Sequence, residues 1–156
     1  MSAVVQTPEL WVRPMSARDL DDVMRVELAM YPFPWTRRIF EDCLRVGYRC
    51  HVGEVEGNFA GYGIMSTGAG EAHVLNLCVA EAFHRRGLGR EILRVLMAEA
   101  DMLNVSDVFL EVRPSNIGAV SLYEQMGFNQ VGLRKHYYPA ENGREDAIIF
   151  AASLRL

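Results

Sequence analysis

His84-Arg85-Arg86-Gly87-Leu88-Gly89-Arg90 is the stretch on which the reading of this chain turns. It follows an apolar run ending at Val79 and opens a segment where Leu88, Ile92, Val95, Leu96, Ala100 and Leu103 recur at helical spacing. At such a strand-to-helix junction, glycines without a Cβ let backbone N–H groups approach an anion closely. The helix N-terminus adds unpaired donors and a favourable dipole. The arginines add charge and paired donors for phosphate. The combination suits a pyrophosphate. The plainer alternative is a turn with glycines for geometry and arginines for solubility. Two other phosphate loops fail on spacing. A Walker loop requires Gly-Lys-Ser/Thr, whereas Gly89 is followed by Arg90 and Glu91. A dinucleotide fingerprint requires a third glycine where Ile92 stands, although Glu111 lies near the distance of that fold's ribose-binding acid.

Upstream, Leu10 to Val12 reads as a short strand stopped by Pro14. Ser16 then caps a helix with Leu20, Val23, Met24 and Leu28 facing inward. The prolines of Tyr31-Pro32-Phe33-Pro34-Trp35 interrupt it, and Thr36 caps a second helix with Ile39, Phe40, Cys43 and Leu44 inward. A strand meander follows over Tyr48–Val55, Phe59–Ser66 and Glu71–Val79, with turns at Gly57-Asn58 and at Gly68 to Gly70. Downstream of the long helix come a strand at Val108–Val112 and a helix from Asn116 to Met126 ended by Gly127. Strands at Phe128–Leu133 and Ala147–Ala152 close the chain, joined by a polar loop around Asn142-Gly143. This order predicts an α/β (α+β) fold, a mixed sheet covered by helices. With 156 residues and no internal repeat or linker, a single domain over residues 1–156 is expected.

Composition narrows the class. Half the residues are hydrophobic, enough to bury a core, which excludes intrinsic disorder. A formal charge of −4 argues against a nucleic-acid coat protein and leaves room for a basic partner. Cys43, Cys50 and Cys78 are too few and too widely spaced for a bridge framework or a zinc pattern. No basic stretch with a following apolar run marks Met1 to Gln6 as a leader, and no apolar run is long enough to span a bilayer. A cytoplasmic protein without metal or direct nucleic-acid contact is expected.

The loop resembles motif A of the GCN5-related N-acetyltransferase superfamily, Gln/Arg-x-x-Gly-x-Gly/Ala, with His84 departing from the usual first residue. Within that superfamily the chain is similar to the bacterial ribosomal-protein alanine N-acetyltransferases. The similarity runs through Pro32-Phe33-Pro34-Trp35, Leu110-Glu111-Val112-Arg113, Ser115-Asn116 and Leu122-Tyr123-Glu124 with Met126-Gly127-Phe128. It continues through Tyr137-Tyr138-Pro139 and Glu145-Asp146-Ala147, so that it covers roughly residues 30 to 150. The resemblance implies a mostly antiparallel central sheet flanked by helices and acetyl-CoA as co-substrate. Leu77, Cys78 and Val79 would offer backbone groups to the pantetheine and acetyl carbonyl. Arg85, Arg86, Gly87, Leu88, Gly89 and Arg90 would hold the pyrophosphate, and Asn116 would touch the cofactor. Glu111 would be the general base and Tyr123 the general acid. Gly118 stands where an alanine is often found.

The residues themselves are compatible with those roles. Alternation puts Val108, Leu110 and Val112 on one face of their strand, and Phe109 and Glu111 on the other. A carboxylate among apolar neighbours gains proton affinity through desolvation, as a base needs. The alternative is a salt bridge from Glu111 to Arg113 or Arg134. Tyr123, with a reference pKa of ~10, stays protonated at neutral pH and can donate to a leaving thiolate; packing as a core aromatic is its alternative. An α-amine with a pKa near ~8 is about a tenth neutral at pH 7, roughly two hundred times more than a lysine side chain. That favours an N-terminal acceptor, and the resemblance implies the N-terminal alanine of a basic small-subunit ribosomal protein. Tyr31, Phe33 and Trp35, faced by Tyr137 and Tyr138, are candidate acceptor walls. Asp19, Asp21, Asp22, Glu41 and Asp42 offer an acidic surface or merely a solvated helix face. Three other readings stay open: acetylation of a lysine or small amine, a non-catalytic acyl-CoA-binding module, and a nucleotide-binding domain.

Overall fold

The computed structural model describes residues 9–155. Seven strands form one sheet: β1 (Leu10–Pro14), β2 (Arg49–Val55), β3 (Asn58–Gly68), β4 (Glu71–Val79), β5 (Asp107–Val112), β6 (Asn129–Ala140) and β7 (Gly143–Ser153). Their order is β1-β2-β3-β4-β5-β7-β6, antiparallel throughout except for β4 beside β5. The helices are α1 (Leu20–Met30), α2 (Arg37–Arg45), α3 (Leu88–Met102) and α4 (Ile117–Gln125). Among the described residues no helix is long and apolar enough to cross a membrane.

A core lies on each face of the sheet. Leu88, Ile92, Leu93, Leu96 and Ala100 of α3 pack with Val74, Leu110, Tyr123 and Phe150 on one side. Leu20, Val23 and Val26 of α1 and Phe40 and Cys43 of α2 pack with Val52, Tyr62 and Ile64 on the other. The α3 seat depends on glycines. A Cβ on Gly63 would lie 2.7 Å from Ile92 Cγ2, and one on Gly53 would lie 2.8 Å from Leu88 Cδ1. Two missing side chains thus let the helix approach the sheet and set the depth of the loop before it.

The long-helix reading holds, with Leu103 exposed beyond its end and Leu93 buried instead. Two other stripes are rotated. Leu28, expected inward, is 62% exposed while Glu27 is 2% exposed, and Ile39 on α2 also faces out. The polar loop around Asn142-Gly143 shrinks to a tight turn at Glu141-Asn142, because β6 and β7 extend through the polar residues on either side. Backbone pairing there needs no apolar alternation, so the sequence pattern underestimates both strands.

The site arises where the only parallel pair among the described residues comes apart. β4 and β5 pair from Glu71 with Asp107 as far as Val74 with Leu110. Leu75 is then an extra residue, since Ile64 pairs with Asn76 and Met65 with Val74. Such a bulge bends a strand and increases its twist. Beyond it β4 pairs with β3 alone and β5 with β7 alone, leaving a cleft between them.

Candidate active site

The loop ahead of α3 has a backbone geometry that an anion would suit. Arg85 and Gly87 both have left-handed backbone, with φ of 64° and 80°, on either side of Arg86. Alternating handedness turns successive N–H groups toward one point, the concave arrangement that cradles anions. Nothing lies within 4 Å of a Cβ built on Gly87, so its glycine answers to φ rather than to space. Arg85, Gly87, Leu88, Gly89 and Arg90 line a cavity of about 900 Å³ that runs beneath the loop. Arg86 does not line it. Its guanidinium lies over the Phe83 ring at 5.7 Å, so the expected phosphate-facing side chain is turned aside. Arg90 also bonds Gln125 and reaches the Met126 sulfur, tying the loop to the end of α4. His84 lies 2.7 Å from the Val79 carbonyl through Nε2 and fastens the loop to the end of β4.

The same cavity follows the open edge of β4. The bond from Ala80 N to Ala60 O sets the phase of the β3–β4 ladder. Cys78 therefore directs its backbone toward β3, while Leu77 and Val79 turn theirs to the cleft. Of the three expected backbone contributors, Cys78 is thus engaged within the sheet. Its thiol is buried and burial raises its pKa, as it does those of Cys43 and Cys50, the latter to about 12. A neutral buried thiol is not a nucleophile. Tyr31, expected as an acceptor wall, donates its hydroxyl to Leu77 O at 3.3 Å. Asn116 lines the cavity while its side chain caps α4 by accepting from Ala119 N.

A second cavity of about 280 Å³ opens on the other side of the cleft, lined by Glu111, Tyr31, Phe33, Trp35, Asn76 and Tyr138. Tyr123 and Leu77 line both cavities, so the two meet there. Tyr123 packs edge-on against Phe128, and its hydroxyl takes part in none of the side-chain hydrogen bonds found among the described residues. Burial, and then Tyr138 and Cys78 nearby, raise its pKa, so it keeps its proton at any ordinary pH. The ring packs in the core as the plainer alternative has it, while the residue also lines both cavities.

Glu111 alternates as expected, with Val108, Leu110 and Val112 buried on the opposite face. Its side chain keeps 26% exposure and pairs with Arg134 Nε at 2.9 Å, so the salt-bridge alternative describes its ground state. The two tyrosines beyond it are aimed by a bulge. Register slips between Arg134 and Tyr138, and His136 takes φ of 53°. Asp146 accepts from His136 N, and Arg144 donates to the His136 and Tyr137 carbonyls, holding the bulge open. Tyr138 reaches the smaller cavity, whereas Tyr137 stays on the rim, edge-on to Tyr138 and beside Arg134. Burial, and then the Glu111 carboxylate, raise the Tyr137 pKa; burial does so for Tyr138, to about 12.

Several residues that sequence reasoning passed over complete the site. The Arg113 guanidinium lies 4.4 Å from the Tyr138 ring and 5.9 Å from Phe33, and lines both cavities. It donates to Pro139 O and Glu145, which also accepts from Ser115 N and Oγ. Arg113, Ser115 and Glu145 thus form one hydrogen-bonded unit at the mouth of the cleft. Glu27 and Asn76 line the smaller cavity, and a charged residue on the apolar stripe of α1 was the available signal. The acidic surface, by contrast, dissolves. Asp19 pairs with Arg13, Asp21 and Glu41 with Arg37, Asp22 with Arg25, and Asp42 with Arg45.

The profile of the acetyltransferase (GNAT) family matches residues 17–128. The chain belongs to the GNAT family. It is 34% identical over 142 residues to the ribosomal protein bS18 alanine N-acetyltransferase of Escherichia coli (strain K12), across 91% of this chain and 96% of that relative. An N-alpha-acetyltransferase of Sulfolobus acidocaldarius is 31% identical, across 92% of each chain. The crystal structure of the ribosomal-protein-S18-alanine N-acetyltransferase from Escherichia coli superimposes with a TM-score of 0.88 at 33% identity, over 95% of this chain and 96% of that one. The expected GNAT fold and acetyltransferase class both hold.

Proposed function

We propose that this GNAT enzyme transfers an acetyl group from acetyl-CoA to the α-amine of an N-terminal alanine on a basic ribosomal protein in the cytoplasm. One observation carries the reading. Tyr123 stands where two cavities meet, with an anion cradle on one side and Glu111 on the other. Relatives bearing that activity in their names add to it.

The residues fit acetyl-CoA. The left-handed pair in the loop offers converging N–H groups for a pyrophosphate, with Arg85 and Arg90 beside it. The open edge at Leu77 and Val79 offers strand-like backbone partners for the pantetheine amides. Acetyl-CoA would supply the activated thioester at the junction.

Transfer requires a neutral amine and a proton for the departing sulfur. Glu111, at the acceptor side, takes the amine's proton, directly or through a water. Arg134 holds that carboxylate in place, and Tyr137 flanks it. Tyr123 carries its proton into a site where burial keeps it bound until a strong base appears. Phe33, Trp35 and Tyr138 narrow the entrance to an extended chain end.

The test is release of free thiol from acetyl-CoA with a basic peptide beginning with alanine, set against the same peptide blocked at its N-terminus. Turnover confined to the free α-amine is expected. Equal turnover of both peptides would move the acceptor to lysine, and none with either would refute the peptide assignment.

A further inference from the structure

Glu27 is buried near the C-terminal end of α1 and lines the smaller cavity. Its Oε1 accepts from the Tyr62 hydroxyl at 2.7 Å and from the Asn76 amide at 3.0 Å. Its Oε2 accepts from the Trp35 backbone N–H at 2.9 Å. All three donors are neutral. The Trp35 and Asn76 groups can only donate, so the carboxyl group is held as an acceptor.

The charges around the cavity otherwise cancel. Arg134 pairs with Glu111, and Arg113 pairs with Glu145. Among the described residues no cation pairs with Glu27. The last turn of α1 contains no basic residue, so the negative end of that helix adds to the same potential. A buried anion without a counter-charge is costly, and a cation entering the cavity relieves that cost.

We infer that the smaller cavity is an ammonium site whose fixed counter-charge is Glu27: the acceptor enters as the cation that the fold itself leaves out. The inference rests on the reading of the acceptor as a protein N-terminus. Glu27 is here a binding and specificity residue rather than the base. Three donors already occupy its oxygens, whereas Glu111 keeps 26% side-chain exposure beside Arg134 and is the freer of the two to take a proton. The same carboxylate anchors the Trp35 loop to β3 and β4, so the wall of the cavity and its charge share one origin.

The test compares two peptides binding to the enzyme–CoA complex by calorimetry. One begins with alanine, and the other carries a hydroxyl in place of its α-amine. The wild type is expected to prefer the ammonium peptide by roughly tenfold to a hundredfold. Glu27→Gln should lose most of that preference while binding the hydroxyl peptide as before. Equal binding of both peptides by the wild type would overturn the proposal. So would an equal loss for both in Glu27→Gln, the result expected of a residue that merely holds the loop. The double variant Glu111→Gln, Arg134→Gln removes the neighbouring ion pair as a unit and does not depend on Glu27→Gln folding. Its preference should exceed that of Glu27→Gln, and a larger loss than in Glu27→Gln would assign the charge to Glu111 instead. Acetylation of the alanine peptide by the wild type is measured in parallel. No product there overturns the acceptor reading, whereas product with equal binding overturns only the role of Glu27.

Discussion

Replacing Tyr123 with phenylalanine removes one oxygen from the junction of the two cavities and nothing else. The ring's contacts with Phe128 and Phe150 survive, and the hydroxyl takes part in none of the side-chain hydrogen bonds found among the described residues. The expected cost to stability is therefore under about 0.5 kcal/mol, or roughly 2 °C in melting temperature. A positioned general acid contributes ~10²–10⁴-fold to rate, equivalent to about 3–5 kcal/mol of barrier. Tyr123→Phe should thus lower kcat by at least about a hundredfold while acetyl-CoA binding and melting temperature stay near wild type. The pH profile adds a second constraint. Because burial raises the Tyr123 pKa, the phenol is protonated in the folded enzyme throughout the working range, and kcat should show no alkaline fall from this group below about pH 10. Steady-state thiol release, calorimetric binding of CoA and thermal unfolding measure the three quantities. Full activity in the variant refutes the acid role. A parallel fall in activity, binding and melting temperature refutes the premise that the hydroxyl is structurally idle.

Three further perturbations probe the frame of the site. Gly63→Ala forces a Cβ to within 2.7 Å of Ile92 Cγ2 and 3.1 Å of Leu96 Cδ1, so overpacking should cost about 1–3 kcal/mol. Scanning calorimetry should record a melting temperature lower by roughly 2–10 °C, and no change would show that α3 yields freely. Asp146→Ala removes the acceptor for His136 N and releases the bulge behind Tyr137 and Tyr138. Peptide KM should rise about tenfold with CoA binding intact, and an unchanged KM would separate the bulge from acceptor binding. Asp19 is held below its ordinary carboxylate pKa, mainly by its bonds from Arg13. Its stabilisation is therefore present above the unfolded value of 3.8 and is lost as pH falls through the folded one. Arg13→Met should lose about 1 kcal/mol less stability than the wild type across that window, and equal losses would remove this pair from the acid transition.

Legibility in the sequence followed the range of the interactions. The α3 pattern and its glycine loop are local, since helical spacing and a left-handed glycine are set by neighbours a few residues apart. Simple alternation places Glu111, because β5 pairs with β7 without a register shift from Asp107 through Val112. Tyr137 and Tyr138 defeat alternation. Consecutive strand residues should face opposite ways, and only the slipped register of β6 brings both rings to one side. Glu27 was hidden by the assumption that α1 buries only apolar residues, which placed Leu28 inward in its stead.

The chain's own spacing determined the element order and the glycine-bearing loop between β4 and α3, and it put Glu111 on the strand that directly precedes the helix carrying Tyr123. Those features depend on backbone geometry that repeats along the chain. Which charges cancel was decided only by folding. Arg86 turns to Phe83, the acidic residues of the first two helices find arginines, Glu111 meets Arg134, and Glu27 is left among neutral donors. Each of those outcomes joins residues from separate elements, and Coulomb's law acts on distance in space rather than on separation in sequence.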